Sequence, residues 1–198
     1  GALGIVDNDR VEISNLQRQI VHSTENVGWR KVDSAISRLI EINPEICFES
    51  CHIRLDEKNA SKIIGRYDFI IEATDNFESK FVINDLCVRN GIPFCHAGIL
   101  GMTGQVMTVI PGEGACFRCV FGEKPKEGQV ETTREVGVLG AVAGIVGSIQ
   151  AMETIKYLTG CGRLLTQRIL TFDGLSMKFR EVRLPHPSCA VCGVAGGR

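Results

Sequence analysis

The sequence carries almost no net charge and has no segment rich in basic residues. Lys and Arg total 22 against 23 Asp and Glu, which gives a formal charge of -1, and the basic residues are scattered along the chain. Nucleic-acid backbones and anionic membrane surfaces attract stripes or patches of basic residues. We therefore expect neither a nucleic acid nor a membrane as a partner.

The sequence also lacks a membrane-spanning run and a leader that is basic and then apolar. The longest uncharged run, residues 136–152, contains four glycines and falls short of the roughly 18 to 20 apolar residues that a bilayer requires. We interpret it as part of a buried helix. Nine cysteines are an odd number, which argues against the disulfide framework of a secreted protein. A reducing compartment, the cytoplasm, is therefore expected.

Apolar runs alternate with amphipathic segments over the first 110 residues. Strands are predicted at 3–6, 46–51, 68–73, 93–97 and 105–110, with helices at 30–42, 57–65 and 77–90. This alternation predicts an α/β fold with βαβ units, in which helices flank a mostly parallel, Rossmann-like sheet.

The remainder of the chain predicts a long helix and a terminal hairpin. A helix is expected at 137–159, with four glycines at spacings of three and four on one face, where a neighbouring backbone could come close: Gly137, Gly140, Gly144 and Gly147. An antiparallel hairpin is expected from 168–172 and 178–182. Residues 122–135 are polar and have no apolar period, which indicates a mobile crossover loop. We expect residues 1–198 to form a single domain.

Two Cys-x-x-Cys pairs, Cys116 with Cys119 and Cys189 with Cys192, are separated by residues 120–188. Each pair can present two thiolates to one tetrahedral metal, and four soft ligands favour structural Zn²⁺. The alternatives are buried free cysteines, or a redox role for one pair that leaves the other unexplained. The other cysteines lack this spacing and are assigned to core packing: Cys47, Cys51, Cys87, Cys95 and Cys161.

Asp7 ends the first apolar run. In Rossmann-like folds, an acid at the end of a strand accepts hydrogen bonds from the ribose hydroxyls of a nucleotide. The glycine-rich phosphate loop that accompanies such an acid would precede residue 1, so we expect the N-terminal strand and this loop to be missing from the chain. Dinucleotide binding, or a plain α/β core with an incidental acid, stays open.

Three further charged residues could serve a nucleotide. Arg18 lies in a polar run without period, Ser14-Asn15-Leu16-Gln17-Arg18-Gln19, and Lys31 opens the next helix. Both could contact a triphosphate, although a solvated surface charge is the alternative for each alone. Asp75 and Asn76 follow the strand at 69–73, at the edge where α/β sheets bind ligands. An Asp there suits Mg²⁺, and the alternative is an N-cap for the helix at residue 77.

Taken in order, these segments resemble the ThiF/MoeB/HesA family of adenylyltransferases, which are relatives of the ubiquitin-activating enzymes and act in thiamine and molybdopterin biosynthesis. The similar segments are Asp7-Asn8-Asp9, residues 14–19, Lys31, Ala73-Thr74-Asp75-Asn76, Cys116-Phe117-Arg118-Cys119, residues 144–153 and the second cysteine pair. The resemblance extends from residue 1 to Cys192.

The resemblance implies an ATP-dependent enzyme. The C-terminal glycine carboxylate of a ubiquitin-like sulfur-carrier protein ending in Gly-Gly would attack the α-phosphorus of ATP and give an acyl-adenylate and pyrophosphate. It implies Asp7 at the ribose, and the segment from Ser14 to Arg18 at the phosphates, chiefly through Asn15 and Arg18. It places Lys31 at the β/γ end, Mg²⁺ on Asp75 beside Asn76, and Zn²⁺ on the four cysteines. A homodimer is expected from the resemblance and from the apolar, glycine-faced helix.

Two other functions stay open. One is an NAD-dependent Rossmann oxidoreductase, in which Arg18, Lys31 and Asp75 would have no triphosphate to bind. The other is a catalytically inactive, zinc-stabilised scaffold that only binds the carrier, which would need neither Asp75 nor Lys31. Thr133 occupies the position nearest to a cysteine that many relatives carry before Glu-x-Gly-Val. This difference implies adenylation without covalent sulfur transfer.

Overall fold

The computed structural model describes residues 1–126, 128–131, 133–184 and 189–193, and the backbone alone of Arg134. The chain forms two compact units, Gly1–Leu55 and Asp56–Arg198. The predicted loop at 122–135 follows a short helix that ends at Phe121, but its last three residues belong to a second short helix, Thr133–Val136, so the loop assignment is wrong for residues 133–135. Residues 127 and 132 of this loop lie outside the described part. Its mobility stays a prediction.

The first unit is a βαβ arrangement. Strands β1 (Ala2–Val6) and β2 (Cys47–Cys51) pair in parallel, and helix α1 (Lys31–Ile42) lies between them in the sequence. The apolar face of α1 buries Val32 and Ala35, as its helical period predicts. Short 3₁₀ turns at Ile13–Asn15 and Thr24–Asn26 occupy the segment between β1 and α1.

The second unit contains a five-stranded sheet and the remaining helices. Its strands lie in the order β3 (Ile70–Glu72), β4 (Phe94–Leu100), β5 (Thr103–Val109), β6 (Arg168–Asp173) and β7 (Lys178–Arg183). Its helices are α2 (Ala60–Ile64), α3 (Phe77–Asn90), α4 (Phe117–Phe121), α5 (Thr133–Val136) and α6 (Gly140–Thr159).

Parallel strand pairs, flanking helices and a terminal antiparallel hairpin confirm the predicted fold class. Strands β3 and β4 are parallel, whereas β4–β5, β5–β6 and β6–β7 are antiparallel. Strand β5 reverses direction because only Gly101 and Met102 connect it to β4. A parallel partner would require a crossover connection of a dozen or more residues.

Helix α6 packs on the sheet and forms the core of this unit. Val142 and Val146 lie against Cys95, Ala97 and Val106 of β4 and β5, with Leu165 and Phe172 completing the buried cluster. The helix approaches β5 so closely at Gly104 that a Cβ there would overlap Val146. A glycine is therefore required at this contact.

The predicted glycine face of this helix is wrong in two respects. Gly137 has a φ of 78° and precedes the helix, which begins at Gly140. Gly144 and Gly147 are exposed, and no described atom lies within 4 Å of the position a Cβ would take. Neither glycine therefore serves as a point of close contact with the backbone of another described segment. Positive φ, which glycine adopts readily, explains why Gly137 falls outside the helix.

The buried face of α6 consists of other residues. Val142, Val146, Gln150 and Glu153 are buried, whereas exposed apolar side chains follow the opposite face: Met152, Ile155 and Leu158. The interpretation of residues 136–152 as part of a buried helix is therefore wrong for that face, on which Met152 is 56% exposed. Within the described parts of the chain, no helix combines the length and hydropathy needed to cross a membrane.

The assignment of five cysteines to the core is correct for two of them. Cys87 and Cys95 are buried, and burial raises the pKa of each thiol to about 12. Cys51 is half-buried. Cys47 and Cys161 are exposed, so their assignment is wrong. Cys47 is the first residue of β2, and Cys161 lies in the turn after α6, where packing does not enclose the side chain.

Candidate nucleotide site and metal centre

A cavity of about 370 Å³ opens in the first unit beside the end of β1. Three residues with predicted nucleotide contacts line it, Asp7, Arg18 and Lys31, together with Gln19 and His22. Most of its wall is apolar and includes Ile5, Ala35 and Leu39. The structure therefore brings together the predicted ribose acid and both predicted phosphate cations.

Two carboxylates hold the Lys31 ammonium beside this cavity. Its Nζ atom lies 2.9 Å from Oδ2 of Asp9 and 3.8 Å from Oδ2 of Asp7. Asp7 is fixed in turn, because its Oδ1 atom accepts the Asp9 backbone N–H at 2.7 Å. The Lys31 side chain is only 12% exposed, so its direction is set by this network. A phosphate group entering the cavity would find an oriented cation.

The polar run at 14–19 forms a tight turn, with the 3₁₀ turn ending at Asn15 and further turns after it. Oδ1 of the buried Asn15 accepts the Glu12 backbone N–H at 3.0 Å, which stabilises the turn. Nη1 of Arg18 donates to the Ser14 carbonyl at 3.2 Å. The residues that line the cavity do not include Ser14, Asn15, Leu16 or Gln17. Their phosphate contacts stay predictions.

Sequence reasoning did not select two of the residues that line the cavity. Nδ1 of His22 lies 2.9 Å from the Ser34 hydroxyl. Burial lowers the pKa of His22, as does Lys31, and Asp7 opposes the shift. Oε1 of Gln19 is buried without a hydrogen-bond partner among the described residues. The segment is irregular, so no period in the sequence indicated which side chains share the cavity.

In the second unit, Asp75 and Asn76 have separate roles at the start of α3. Oδ1 of Asn76 accepts the Ser79 backbone N–H at 2.9 Å, so Asn76 is the N-cap. Asp75 precedes the cap and is exposed. Among the described residues, no group pairs with its carboxylate. The capping alternative therefore accounts for Asn76 and leaves Asp75 available to a ligand.

The four predicted metal-ligating cysteines meet in the second unit. Their Sγ atoms all lie within 4.8 Å of one another. Four of the sulfur–sulfur distances are 3.8, 3.6, 3.2 and 3.5 Å. A tetrahedral site with metal–sulfur bonds of about 2.3 Å has edges of about 3.8 Å, whereas a disulfide measures about 2.05 Å. The cluster fits one metal ion and could hold it.

Local structure holds both cysteine pairs in place. Cys116 is the N-cap of α4, and its carbonyl accepts the Cys119 N–H at 3.1 Å. Arg118, between them in the sequence, forms a two-pronged ion pair with Asp85 of α3 at 2.6 and 2.8 Å. In the second pair the Cys189 carbonyl accepts the backbone N–H of Gly193, the residue after Cys192, at 2.7 Å, which makes this turn one residue longer.

Burial and mutual hydrogen bonds change the acidity of three thiols in the cluster, those of Cys116, Cys119 and Cys192. Burial raises the pKa of Cys116 well above its ordinary value and that of Cys119 to about 11. Burial acts in the same direction on Cys192, but a backbone hydrogen bond at Cys189 and bonds with the neighbouring thiols outweigh it and lower its pKa to about 7. A bound cation would hold all four as thiolates.

The chain belongs to the ThiF family, whose model matches residues 1–193. It is 40% identical over 197 residues to the "SAMP-activating enzyme E1" of Haloferax volcanii, covering 99% of this chain and 73% of that protein. It is 39% identical over 199 residues to the "Sulfur carrier protein adenylyltransferase" of Thermus thermophilus, covering 98% of this chain and 73% of that protein.

Other similar proteins are longer. The "Adenylyltransferase and sulfurtransferase MOCS3" of Drosophila persimilis is 41% identical over 195 residues, which are 97% of this chain and 43% of that protein. A crystal structure of Escherichia coli MccB with MccA-N7isoASN superposes with a TM-score of 0.86 at 21% identity, over 98% of this chain and 60% of that chain. This last similarity supports the fold.

Proposed function

We propose that this chain performs ATP-dependent adenylation of the C-terminal glycine carboxylate of a ubiquitin-like sulfur-carrier protein that ends in Gly-Gly. The observation that carries the proposal is the cavity of the first unit, which Asp7, Arg18 and Lys31 line together. Membership of the ThiF family supports it, as do relatives named for carrier adenylation and SAMP activation.

The proposed reaction exchanges one bond at phosphorus for another. A carboxylate oxygen of the carrier forms a bond to the α-phosphorus of ATP, and the bond from that phosphorus to the bridging oxygen breaks. The bond electrons leave with pyrophosphate, so no side-chain nucleophile is needed. Both reactants are anionic, so positive charge and in-line positioning provide the catalysis.

The residues of the cavity fit separate parts of the nucleotide. The Asp7 carboxylate is suited to accept hydrogen bonds from ribose hydroxyls. Arg18 can pair with phosphate oxygens as a planar fork, and Lys31 as a point charge at the β/γ end. We propose that the Lys31 ammonium gives up its 2.9 Å contact with Asp9 when phosphate oxygens arrive. Ser14, Asn15, Leu16 and Gln17 would support the phosphate contacts through the same turn.

Asp75 is proposed as the protein ligand for Mg²⁺, with Asn76 beside it. The exposed carboxylate without a partner among the described residues supports this assignment, and carboxylate oxygens suit Mg²⁺. When bound, Mg²⁺ would neutralise charge on the phosphate oxygens. The four-cysteine cluster is proposed to hold Zn²⁺ in a closed structural site, because four thiolates with tetrahedral edges are its preferred ligands.

A homodimer is proposed on the basis of α6. Its exposed face combines Gly144 and Gly147, which have open space above them, with Met152, Ile155 and Leu158, each more than half exposed. A contiguous exposed apolar surface commonly marks an interface. The cytoplasm is proposed as the compartment, since a thiolate cluster is stable in a reducing interior.

Two alternatives make different experimental predictions. A nicotinamide oxidoreductase would bind NAD in preference to ATP, whereas we expect ATP binding, measured by calorimetry on the complete protein. An inactive scaffold would bind the carrier without catalysing ATP–pyrophosphate exchange, whereas we expect exchange that requires the free C-terminal carboxylate of the carrier. Thr133 supports adenylation alone, so no reductant-sensitive carrier conjugate should be trapped at this residue.

A further inference from the structure

Three side chains form a buried cluster in the second unit that the proposed reaction does not use. Glu72 and His96 are each 1% exposed, and Lys80 is 9% exposed. The Lys80 ammonium lies 3.0 and 2.9 Å from the two carboxylate oxygens of Glu72 and donates to the Ala97 carbonyl at 2.8 Å. Nδ1 of His96 lies 2.6 Å from Oε2 of Glu72. Because packed apolar residues would often be as stable as a buried ion pair, stability alone does not explain this buried cluster.

The buried cluster holds the Asp75 turn, residues 74–76. Oε1 of Glu72 accepts both the backbone N–H and the hydroxyl of Thr74, at 2.7 and 2.5 Å. On the other side of the strand end, Gln150 of α6 donates to the carbonyls of Glu72 and Cys95 at 2.9 and 3.0 Å. The position of the exposed Asp75 therefore depends on the peptide that Thr74 anchors.

The same cluster contacts the helix that carries two of the metal-ligating cysteines. The His96 ring packs edge-on against Phe117, with ring centroids 4.5 Å apart, and against Phe121 at 5.6 Å. Both aromatic residues belong to α4, which has Cys116 as its N-cap and contains Cys119. A continuous set of contacts thus runs from the metal centre through the buried cluster to the Asp75 turn.

His96 is suited to hydrogen bonding more than to packing. An ionised Glu72 carboxylate can only accept, so Nδ1 of His96 carries the shared proton and Nε2 is an acceptor. Burial lowers the pKa of His96, against the effect of Glu72. Nε2 is buried and has no hydrogen-bond partner among the described residues. An apolar ring would avoid this unpaired group, so the contact with Glu72 is what distinguishes His96.

We propose that Glu72 and His96 are positioning residues that hold Asp75 for metal binding and make the order of the Asp75 turn depend on the four-cysteine centre. This inference rests on the proposed role of Asp75. A positioning residue acts through geometry, so its loss should weaken Mg²⁺ use while the cations of the first unit stay unchanged.

Amide hydrogen exchange at Thr74, in the complete zinc-loaded protein, tests the positioning role without reference to activity. His96→Phe keeps an aromatic ring and removes the donor, so the Thr74 amide should exchange at least ~10-fold faster. His96→Asn restores an N–H near the Nδ1 position and should give an intermediate rate. The double variant Glu72→Gln/Lys80→Met, which leaves no unpaired buried charge, should match or exceed His96→Phe.

A matched control separates positioning from general destabilisation. The Thr108 hydroxyl donates to the buried Glu153 at 2.6 Å, in a different polar contact of the same unit. Thr108→Val should lower stability and leave Thr74 exchange unchanged. An unchanged Thr74 rate in both a folded His96→Phe protein and the double variant would overturn the positioning role.

The magnesium dependence of ATP–pyrophosphate exchange supplies a second readout. His96→Phe should raise the Mg²⁺ concentration for half-maximal exchange at least ~10-fold, as expected when a ligand loses its preset geometry. If Asp75→Asn is inactive and His96→Phe needs no more Mg²⁺ than the unmodified protein, the positioning role of His96 is wrong and the proposed role of Asp75 stands. If Asp75→Asn is fully active, the proposed role of Asp75 fails.

Removal of zinc by a chelator tests the link to the metal centre. Chelation should accelerate Thr74 exchange at least ~10-fold in the unmodified protein and have little further effect in His96→Phe, because both changes break the same set of contacts. Additive effects would overturn the link. Equal acceleration at all core amides would also overturn it, since that result indicates general unfolding.

Discussion

Thr74 donates both its backbone N–H and its hydroxyl to a single oxygen of the buried Glu72 carboxylate, at 2.7 and 2.5 Å. This contact fixes the peptide immediately before Asp75. Glu72, which is paired with the buried Lys80, thereby fixes the backbone position of the exposed turn 74–76. This turn contains Asp75, the proposed magnesium ligand. If Asp75 binds Mg²⁺ as proposed, the position of this ligand would depend on two buried residues, Glu72 and Lys80.

The four-cysteine cluster should contain one zinc ion per chain. Cys189→Ser removes one ligand of a closed site, so it should release the metal and loosen the terminal segment. Elemental analysis and thermal unfolding measure both effects. Cys161→Ser, at an exposed cysteine outside the cluster, should keep the metal and serves as the control. Carefully purified protein that contains no metal would contradict the prediction.

Lys31→Met should weaken nucleotide use in the complete protein. The substitution keeps the length of the side chain and removes the cation beside the cavity, so carrier-dependent exchange should fall by roughly 10²-fold. Lys62→Met, at an exposed lysine of α2, is the matched control and should leave carrier-dependent exchange unchanged. If the two variants have the same activity, Lys31 is only a partner of Asp9.

Acid should destabilise the second unit through Glu72. Burial acts to raise its pKa, but Lys80 and hydrogen bonds from His96 and Thr74 hold the pKa at about 2, against an ordinary 4.5. Such a depressed carboxyl stabilises the fold above its unfolded pKa, and the contribution is lost as pH falls through the folded value. The window lies between pH 4.5 and pH 2.

Urea unfolding at pH 7 and pH 3 measures this contribution. The unmodified protein should lose about 2 kcal/mol more of its unfolding free energy over this range than Glu72→Gln/Lys80→Met. Comparison of the two proteins cancels the acid sensitivity that the cysteine cluster gives to both. Equal losses would show that the Glu72 pKa is close to its ordinary value.

The exposed face of α6 should mediate a dimer. Sedimentation should give twice the mass of the chain for the unmodified protein, and Ile155→Glu should shift it toward the monomer by placing a charge in the apolar face. Met177→Glu, at an exposed position outside α6, should leave the dimer intact. A monomer mass at all concentrations of the unmodified protein would refute the interface.

Local signals in the sequence predicted the elements that local chemistry determines. Helix α3 has the predicted bounds, because Asn76 caps its start and Gly91, with a φ of 69°, ends it. The spacing of the cysteine pairs predicted the four-sulfur cluster for a similar reason, since each pair forms its own turn. The strand-end position of Asp7 indicated a nucleotide contact, and the structure places this residue in the wall of a cavity. The contact with ribose stays a prediction.

Features that depend on packing between distant segments were not predicted. The open space above Gly144 and Gly147 follows from where α6 lies on the sheet. The antiparallel direction of β5 was missed for a local reason, because the predicted strands at 93–97 and 105–110 were too short to show that only Gly101 and Met102 connect them. His96 and Glu72 lie 24 residues apart in the sequence. The sequence contained two signals of this cluster: Glu72 in an apolar strand, and Lys80 on the buried face of α3. Neither signal indicated which residue would be its partner.

The most direct test of the account is carrier-dependent ATP–pyrophosphate exchange by Asp75→Asn in the complete protein. The substitution removes a charge and leaves the cap untouched, since Asn76 provides it. As a control for the cap, Asn76→Ala should lower stability by about 1 kcal/mol. We predict that Asp75→Asn folds normally and that its exchange rate falls by at least ~10²-fold, the effect of losing one preorganised electrostatic group. Full exchange activity in a well-folded Asp75→Asn protein would contradict the proposed mechanism.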